Sequence, residues 1–260
     1  MKQLPHPGAA RRALQAGFTL VELVVVMAVL VVLAGLILPK LDTFKLKANK
    51  AAAASNIHGV ARYITSFKAQ KDVFPDEFDS LLDSGTPTNL YTSLDPQCTG
   101  SLPGNPTKLT TTTIVNADEL RSLNRVGLVS LHHHDAAVEF KGNSAAGTAP
   151  STLIVGDTIA TVNPIDPDGQ AIIEHFYPGT GGAVPAGKKL AVFGVGPRNK
   201  MINDILHEAP FYANTDQNAY YNRFLAVFEF STGGSRAKLL GVLGSDGDLL
   251  SEEIVDYYEG

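Results

Sequence analysis

Apolar residues fall along this chain in three regimes. From Phe18 to Leu38 they are almost unbroken, FTLVELVVVMAVLVVLAGLIL, 21 residues whose single charge is Glu22. A helix of that length rises about 30 Å, the thickness of a bilayer core, and the run is longer than the roughly 7–15 apolar residues of an ordinary secretory signal. From Lys40 to Asp72 the pattern narrows to a stripe: Ile57, Val60, Ala61, Ile64 and Phe67 recur at three- and four-residue steps, and Ala51–Ala54 adds strong helix formers. The two regimes predict one helix of about 55 residues that reaches about 80 Å. Its first half spans a membrane and its second half offers one apolar face to a domain. Pro39 has no N–H to give the helical ladder and is expected to kink or loosen the helix there.

The third regime is a series of short apolar runs: GLVSL (127–131), TLIV (152–155), TIATV (158–162), KLAVFGV (189–195), RFLAVFEF (223–230) and AKLLGVL (237–243). Turn or loop chemistry separates most of them and no long helical crossover intervenes, which predicts a mainly antiparallel sheet with one face free to receive the long helix. The fold class is α+β. Pro75, Asp76 and Glu77 suit the first turn of a short helix that Gly85 would stop. Residues 84–116, including Thr110–Thr113, read as loop, and NADELRSL, capped by Asn116, as one short helix. KGNSAAGTAPS and PGTGGAVPAGK read as exposed insertions. The sequence contains no internal repeat and no second domain.

Charge sharpens the division. The 260 residues carry 21 basic and 26 acidic groups, net −5. Residues 1–17 hold Lys2, Arg11 and Arg12 and no acid, so the rest of the chain holds 18 basic and 26 acidic groups, net −8. That balance disfavours broad nucleic-acid binding. Basic residues ahead of the apolar run predict a cytoplasmic N-terminus and an exported C-terminus, although Lys40, Lys45, Lys47 and Lys50 follow on the other side. The single cysteine, Cys98, excludes an intramolecular disulfide framework and any cysteine-based zinc cluster.

The order of residues at the start is specific. A basic leader, then Gly17, Phe18, Thr19, Leu20 and Glu22, then the apolar run with Pro39 just past its core, resembles the prepilin signal of type IV pilins and type II secretion pseudopilins. The resemblance covers Gly17–Pro39. It implies a pilin-like fold and cleavage by a prepilin peptidase between Gly17 and Phe18, followed by N-methylation of Phe18, with the apolar segment kept in the mature protein. It divides the chain into a leader (1–17), a transmembrane and filament-core helix (18–39), the exported half of that helix (40–72) and a globular head (73–260). It further implies that Glu22, one turn beyond the new Phe18 ammonium, meets that amine on a neighbouring subunit; in apolar surroundings the pair is tolerated where either charge alone is costly. Phe74-Pro75 leading into a short acidic-apolar helix also resembles the segment after the long helix in type II secretion pseudopilins.

Other candidate chemistry is sparse. Gly182-x4-Gly187-Lys188 falls short of a P-loop, because Lys189 replaces the Ser or Thr and a strand-like run follows where a helix is needed. His132, His133, His134 and Asp135 form the most metal-like string, but in a strand only His132 and His134 share a face. His207-Glu208 lacks the second histidine of a metalloprotease helix, no GxSxG elbow occurs, and nothing in the chain asks for an enzyme. Asp166-Pro-Asp168-Gly169 reads as a turn. Ser245-Asp246-Gly247-Asp248, with Glu252 and Glu253, offers hard oxygens at the place where the resemblance implies a calcium loop, yet no metal ligand is assigned.

The sequence therefore predicts a non-enzymatic filament subunit, a type II secretion pseudopilin held in the bacterial inner membrane by a single span, with its head in the periplasm. Its rivals are a type IV pilus subunit and, more distantly, a membrane-anchored exported enzyme. The partners implied by the resemblance are the prepilin peptidase, sibling pilins or pseudopilins, an assembly platform with its ATPase, the secretin and membrane lipid, with no nucleic acid; no cofactor is assigned, calcium at the acidic C-terminal turn being the one candidate.

Overall fold

A computed structural model describes residues 19–83, 88–100, 104, 106–134, 149–212 and 221–259. These fall into two compact units divided between Lys45 and Leu46. Helix α1 (Leu20–Lys71) contributes to both, and its helical backbone continues through Pro39, so the proline does not end it. The helix stops where Asp72 takes a left-handed φ of 59° and donates its N–H to the Lys68 carbonyl at 2.8 Å.

In the larger unit the second half of α1 lies on a six-stranded sheet. The strands are β1 (Phe78–Asp83), β3 (Ser130–His134), β4 (Ser151–Thr152), β6 (Lys188–Gly194), β7 (Leu225–Ser231) and β8 (Lys238–Leu243), in the order β4-β3-β1-β6-β7-β8. All pairings are antiparallel except β1 with β3, where Phe78 faces Leu131 and Asp79 faces His132. A separate ribbon of β2 (Leu109–Thr113) and β5 (Thr158–Val162) forms a second sheet. Among the described residues the unit also has four short helices: α2 (Pro96–Thr99), α3 (Ala117–Asn124), α4 (Pro167–Phe176) and α5 (Leu250–Glu259).

The sheet is covered on both faces. Ala53, Ile57, Val60, Ile64 and Phe67 of α1 join one core with Ala191 and Phe193 of β6 and Ala226, Phe228 and Phe230 of β7. The alternate residues of the same strands, Leu190, Val192, Leu225 and Val227, form a second core with Leu109, Ala160 and Val162 of the ribbon and Ile172 and Ile173 of α4. Every residue of β7 is buried, as a strand between two layers requires. The apolar stripe of α1 predicts this packing correctly.

Several local expectations are corrected. Residues 75–83 do not form a helix, and Gly85 lies outside the described residues: Glu77 has φ 61°, and Asp76 accepts the N–H groups of Val129 and Ser130, each at 2.9 Å. That drives Phe78 to Ser80 into the sheet, where FDSLL is buried on both sides instead of along one helical stripe. Thr110–Thr113 is strand β2 rather than loop, its threonines pairing residue by residue with Thr158–Thr161. The strand placed at 127–131 lies at Ser130–His134, and that at 152–155 shrinks to Ser151–Thr152. NADELRSL does become α3, with the Asn116 side chain accepting the Glu119 N–H at 2.9 Å. Asp166-Pro-Asp168-Gly169 is not a free turn but the start of α4, where Asp166 accepts the N–H groups of Asp168 and Thr107, both at 3.0 Å. Gly169 lies in that first turn because a Cβ there would come within 2.1 Å of the Asn163 carbonyl oxygen. Helix α5 is an element that the sequence reading leaves out.

Candidate functional site

The chemistry at the start of α1 is a reciprocal cap. Thr19 donates its N–H and its hydroxyl to Glu22 Oε2 at 2.8 and 2.9 Å, and the Glu22 N–H donates back to Thr19 Oγ1 at 3.2 Å. This is the Thr-x-x-Glu capping box, and the carboxylate also answers the positive end of the helix dipole. The signal was present in the spacing of Thr19 and Glu22, although the reading above assigns Glu22 only to assembly. Gly17 and Phe18, the expected processing site, lie outside the described residues.

Beyond the cap the side chains from Leu20 to Gly35 are exposed on every side of the helix, Leu20 to 80% and Val31 to 71%. Among the described residues no helix is long and apolar enough to cross a membrane; the side chains of residues 36–39 lie outside the described ones. A helix that is apolar all round still calls for apolar surroundings, whether lipid or other helices.

The metal-like histidine string is dispersed by the strand. His132 is buried with Nε2 3.4 Å from Glu77 Oε2, whereas His133 Nδ1 lies 2.9 Å from Ser80 Oγ. His134 ends β3, and Asp135 lies outside the described residues. Among the described residues no three His, Cys, Asp or Glu side chains gather to hold a metal. Ser80 is fully buried, and its hydroxyl already accepts the Leu82 N–H at 3.1 Å.

The near P-loop is closed by the chain itself. Glu174 of α4 accepts the N–H groups of Gly179 at 2.5 Å and Gly182 at 3.0 Å, so the first N–H of that run is already committed to a carboxylate, which would repel a phosphate. These bonds hold the Glu174 carboxyl below its ordinary pKa. Lys188 is bonded to Glu229 at 2.7 Å, and Lys189 to the buried Glu119 at 3.0 Å. Clefts of about 370 and 400 Å³ lie along β2, lined largely by its threonines and their neighbours. Nothing lining them forms a nucleophile–base pair.

The acidic loop between β8 and α5 is occupied by a residue that the sequence reading passes over. The Lys108 ammonium bonds the Asp248 carboxylate and the Asp246 carbonyl, the latter at 3.2 Å. The Tyr212 hydroxyl donates to the Asp246 carboxylate, and Cys98 Sγ donates to the Ser245 carbonyl at 3.3 Å. Burial pushes the Cys98 thiol well above its ordinary pKa, so it is an inert packing residue. Glu252 turns back to accept the Leu249 N–H at 2.7 Å, capping α5. No local pattern could have found Lys108, which lies 140 positions before Asp248.

The comparisons bear on the N-terminal segment. The family model described as the prokaryotic N-terminal methylation motif matches residues 12–38. No curated protein and no solved structure matches the chain. The chain therefore carries a prepilin-type methylation motif, consistent with the type IV pilin and pseudopilin family, a structural and not an enzymatic family. The motif implies processing by prepilin peptidase, assembly with other pilins and a membrane-anchored N-terminus in a bacterium.

Proposed function

We propose that this chain is a structural subunit of a type II secretion pseudopilus. The prepilin peptidase cuts between Gly17 and Phe18 and methylates Phe18. The segment 18–39 crosses the inner membrane once while the head waits in the periplasm, and assembly draws that segment into a helical polymer beside the secretin, driven by an assembly platform and its ATPase. The observation that carries this reading is the methylation motif at 12–38 running directly into α1, which is apolar on every side from Leu20 and later lies on a sheet. The subunit hydrolyses nothing itself.

The pseudopilus is preferred over a type IV pilus on the Phe74-Pro75 pair after the long helix alone, since the short helix expected to follow it is strand β1. A net charge of −8 after residue 17 argues against a DNA-uptake filament. Intact mass and N-terminal sequencing of the membrane-extracted protein test the processing: a methylated Phe18 terminus is expected, and cleavage beyond Leu38 would remove the filament reading. Deleting the gene then separates the two filaments. Folded exoproteins held in the periplasm mark a pseudopilin, and loss of surface pili with secretion intact marks a pilus subunit.

A further inference from the structure

The resemblance implies calcium in a C-terminal loop, and Gly244–Asp248 has the composition for it, but the residues present do not fit the ion. Calcium takes six to eight oxygens that carry no competing donor. Here the Asp248 carboxylate and the Asp246 carbonyl are both claimed by the Lys108 ammonium, and the Asp246 carboxylate by the Tyr212 hydroxyl and the Asp248 N–H, the last at 3.2 Å. Lys108 is only 6% exposed, and its stem is packed in place: Gly247, at φ 82°, leaves room where a Cβ would lie 3.0 Å from Lys108 Cδ and 3.2 Å from Cys98 Sγ. An ion entering the loop would have to expel a buried ammonium that is bonded to the same oxygens.

We infer that the Gly244–Asp248 loop is a cation site in which the Lys108 ammonium, delivered from 140 positions earlier just before β2, takes the place of a divalent metal. The loop thereby ties three distant pieces together: the approach to β2, Tyr212 and the junction from β8 into α5. The head holds this junction with a covalently attached cation, so its folding does not follow the calcium level outside the cell. The inference is independent of the pseudopilus reading, since it concerns the head alone and stands in either filament.

The test uses the purified full-length protein in detergent and calcium itself as the probe. The thermal midpoint of the wild type is expected to move by less than about 1 °C between EDTA and millimolar calcium. A wild-type midpoint that falls with EDTA and rises with calcium would overturn the inference. Lys108→Met exposes the same oxygens without their cation, and its midpoint is expected to drop in EDTA and to rise by roughly 5 °C with calcium. A folded Lys108→Met protein that ignores calcium would overturn the claim that the ammonium stands in a metal's place. If that variant fails to fold, Lys108→Met combined with Asp248→Asn, which removes both charges, decides: folding without calcium dependence supports the inference, and tight calcium binding by the double variant contradicts it.

Discussion

Thr19 and Glu22 bond each other from both sides of one helical turn, two donors of Thr19 on one oxygen of Glu22 and the Glu22 N–H on Thr19 Oγ1. The cap turns the carboxylate back toward the start of the helix, where processing would leave the Phe18 ammonium. An assembly role for Glu22 thus begins from a carboxylate already aimed at the terminus and not from one free to sample the helix surface. Glu22→Ala is expected to insert and to be processed, but to fall at least about tenfold in filament incorporation, as removal of one partner from a low-dielectric charge pair implies. The measurement is the ratio of filament to membrane subunit in cells that lack the wild-type copy, and unchanged incorporation there would falsify the role.

Gly17 makes a separate prediction about processing. If the peptidase cuts after a residue that must be small, Gly17→Ala is cleaved and Gly17→Leu or Gly17→Asp accumulates as the uncut precursor. Electrophoretic mobility and intact mass distinguish the two, and normal cutting of the leucine variant would move the site elsewhere.

The α1–sheet contact can be weighed directly. Ile64 is fully buried in the core shared with Phe193 and Phe228, while Tyr63 beside it is 40% exposed. Ile64→Ala is expected to cost about 2–5 kcal/mol, from lost burial and the cavity left behind. Tyr63→Ala is expected to stay within about 0.5 kcal/mol, the usual range for a surface position. Equilibrium denaturation of both variants checks the pair. Equal losses would mean that the apolar stripe is not what fixes the helix on the head.

The elements that were legible in the sequence are those in which one local pattern decides the outcome. The four-three spacing of Ile57, Val60, Ile64 and Phe67 sets α1, and the continuous apolar runs around Val192 and Val227 set β6 and β7. Where a distant partner decides, the local pattern misleads. Asp76 looks like a helix-starting acid but caps the backbone of β3 more than fifty residues away. Thr110–Thr113 looks like loop because threonine is polar, and becomes strand because Thr158–Thr161 pairs with it. Asp166-Pro-Asp168-Gly169 reads as a turn because it lacks the first carboxylate and the closing Glu of an EF-hand loop, yet it starts a helix in which close approach of the Asn163 carbonyl demands a glycine. The N-terminal methylation motif was readable because it is local; Lys108 was not, since the loop that gives it meaning lies 140 positions further on.

Glu174 gives a prediction with a pH sign. Its carboxyl is held below the ordinary value of 4.5, first by the Gly179 N–H and then by the Gly182 N–H. A depressed carboxyl favours the ordered loop above the unfolded pKa and loses that contribution as pH falls through the lower folded value. The amide resonances of Gly179 and Gly182 are therefore expected to titrate together, with a midpoint below 4.5. Glu174→Gln should abolish that titration. Movement at a midpoint above 4.5, or movement of one amide alone, would mean that the two glycines do not share this carboxylate.

Lys108 carries the opposite sign. Burial pulls its ammonium pKa down, but Asp248, through charge and hydrogen bond, outweighs burial and leaves it above 10.5. A raised amine contributes stability that is complete below its unfolded pKa and is lost as pH rises through the folded one. Arginine keeps its charge throughout this range, so Lys108→Arg serves as a non-titrating reference in which the other alkaline groups cancel. The wild-type stability relative to Lys108→Arg should be flat through pH 10 and decline only above it, measured by urea unfolding at a series of pH values. A decline that starts near pH 9 would show that burial dominates and that the Asp246–Asp248 loop holds its lysine too weakly to act as a fixed cation.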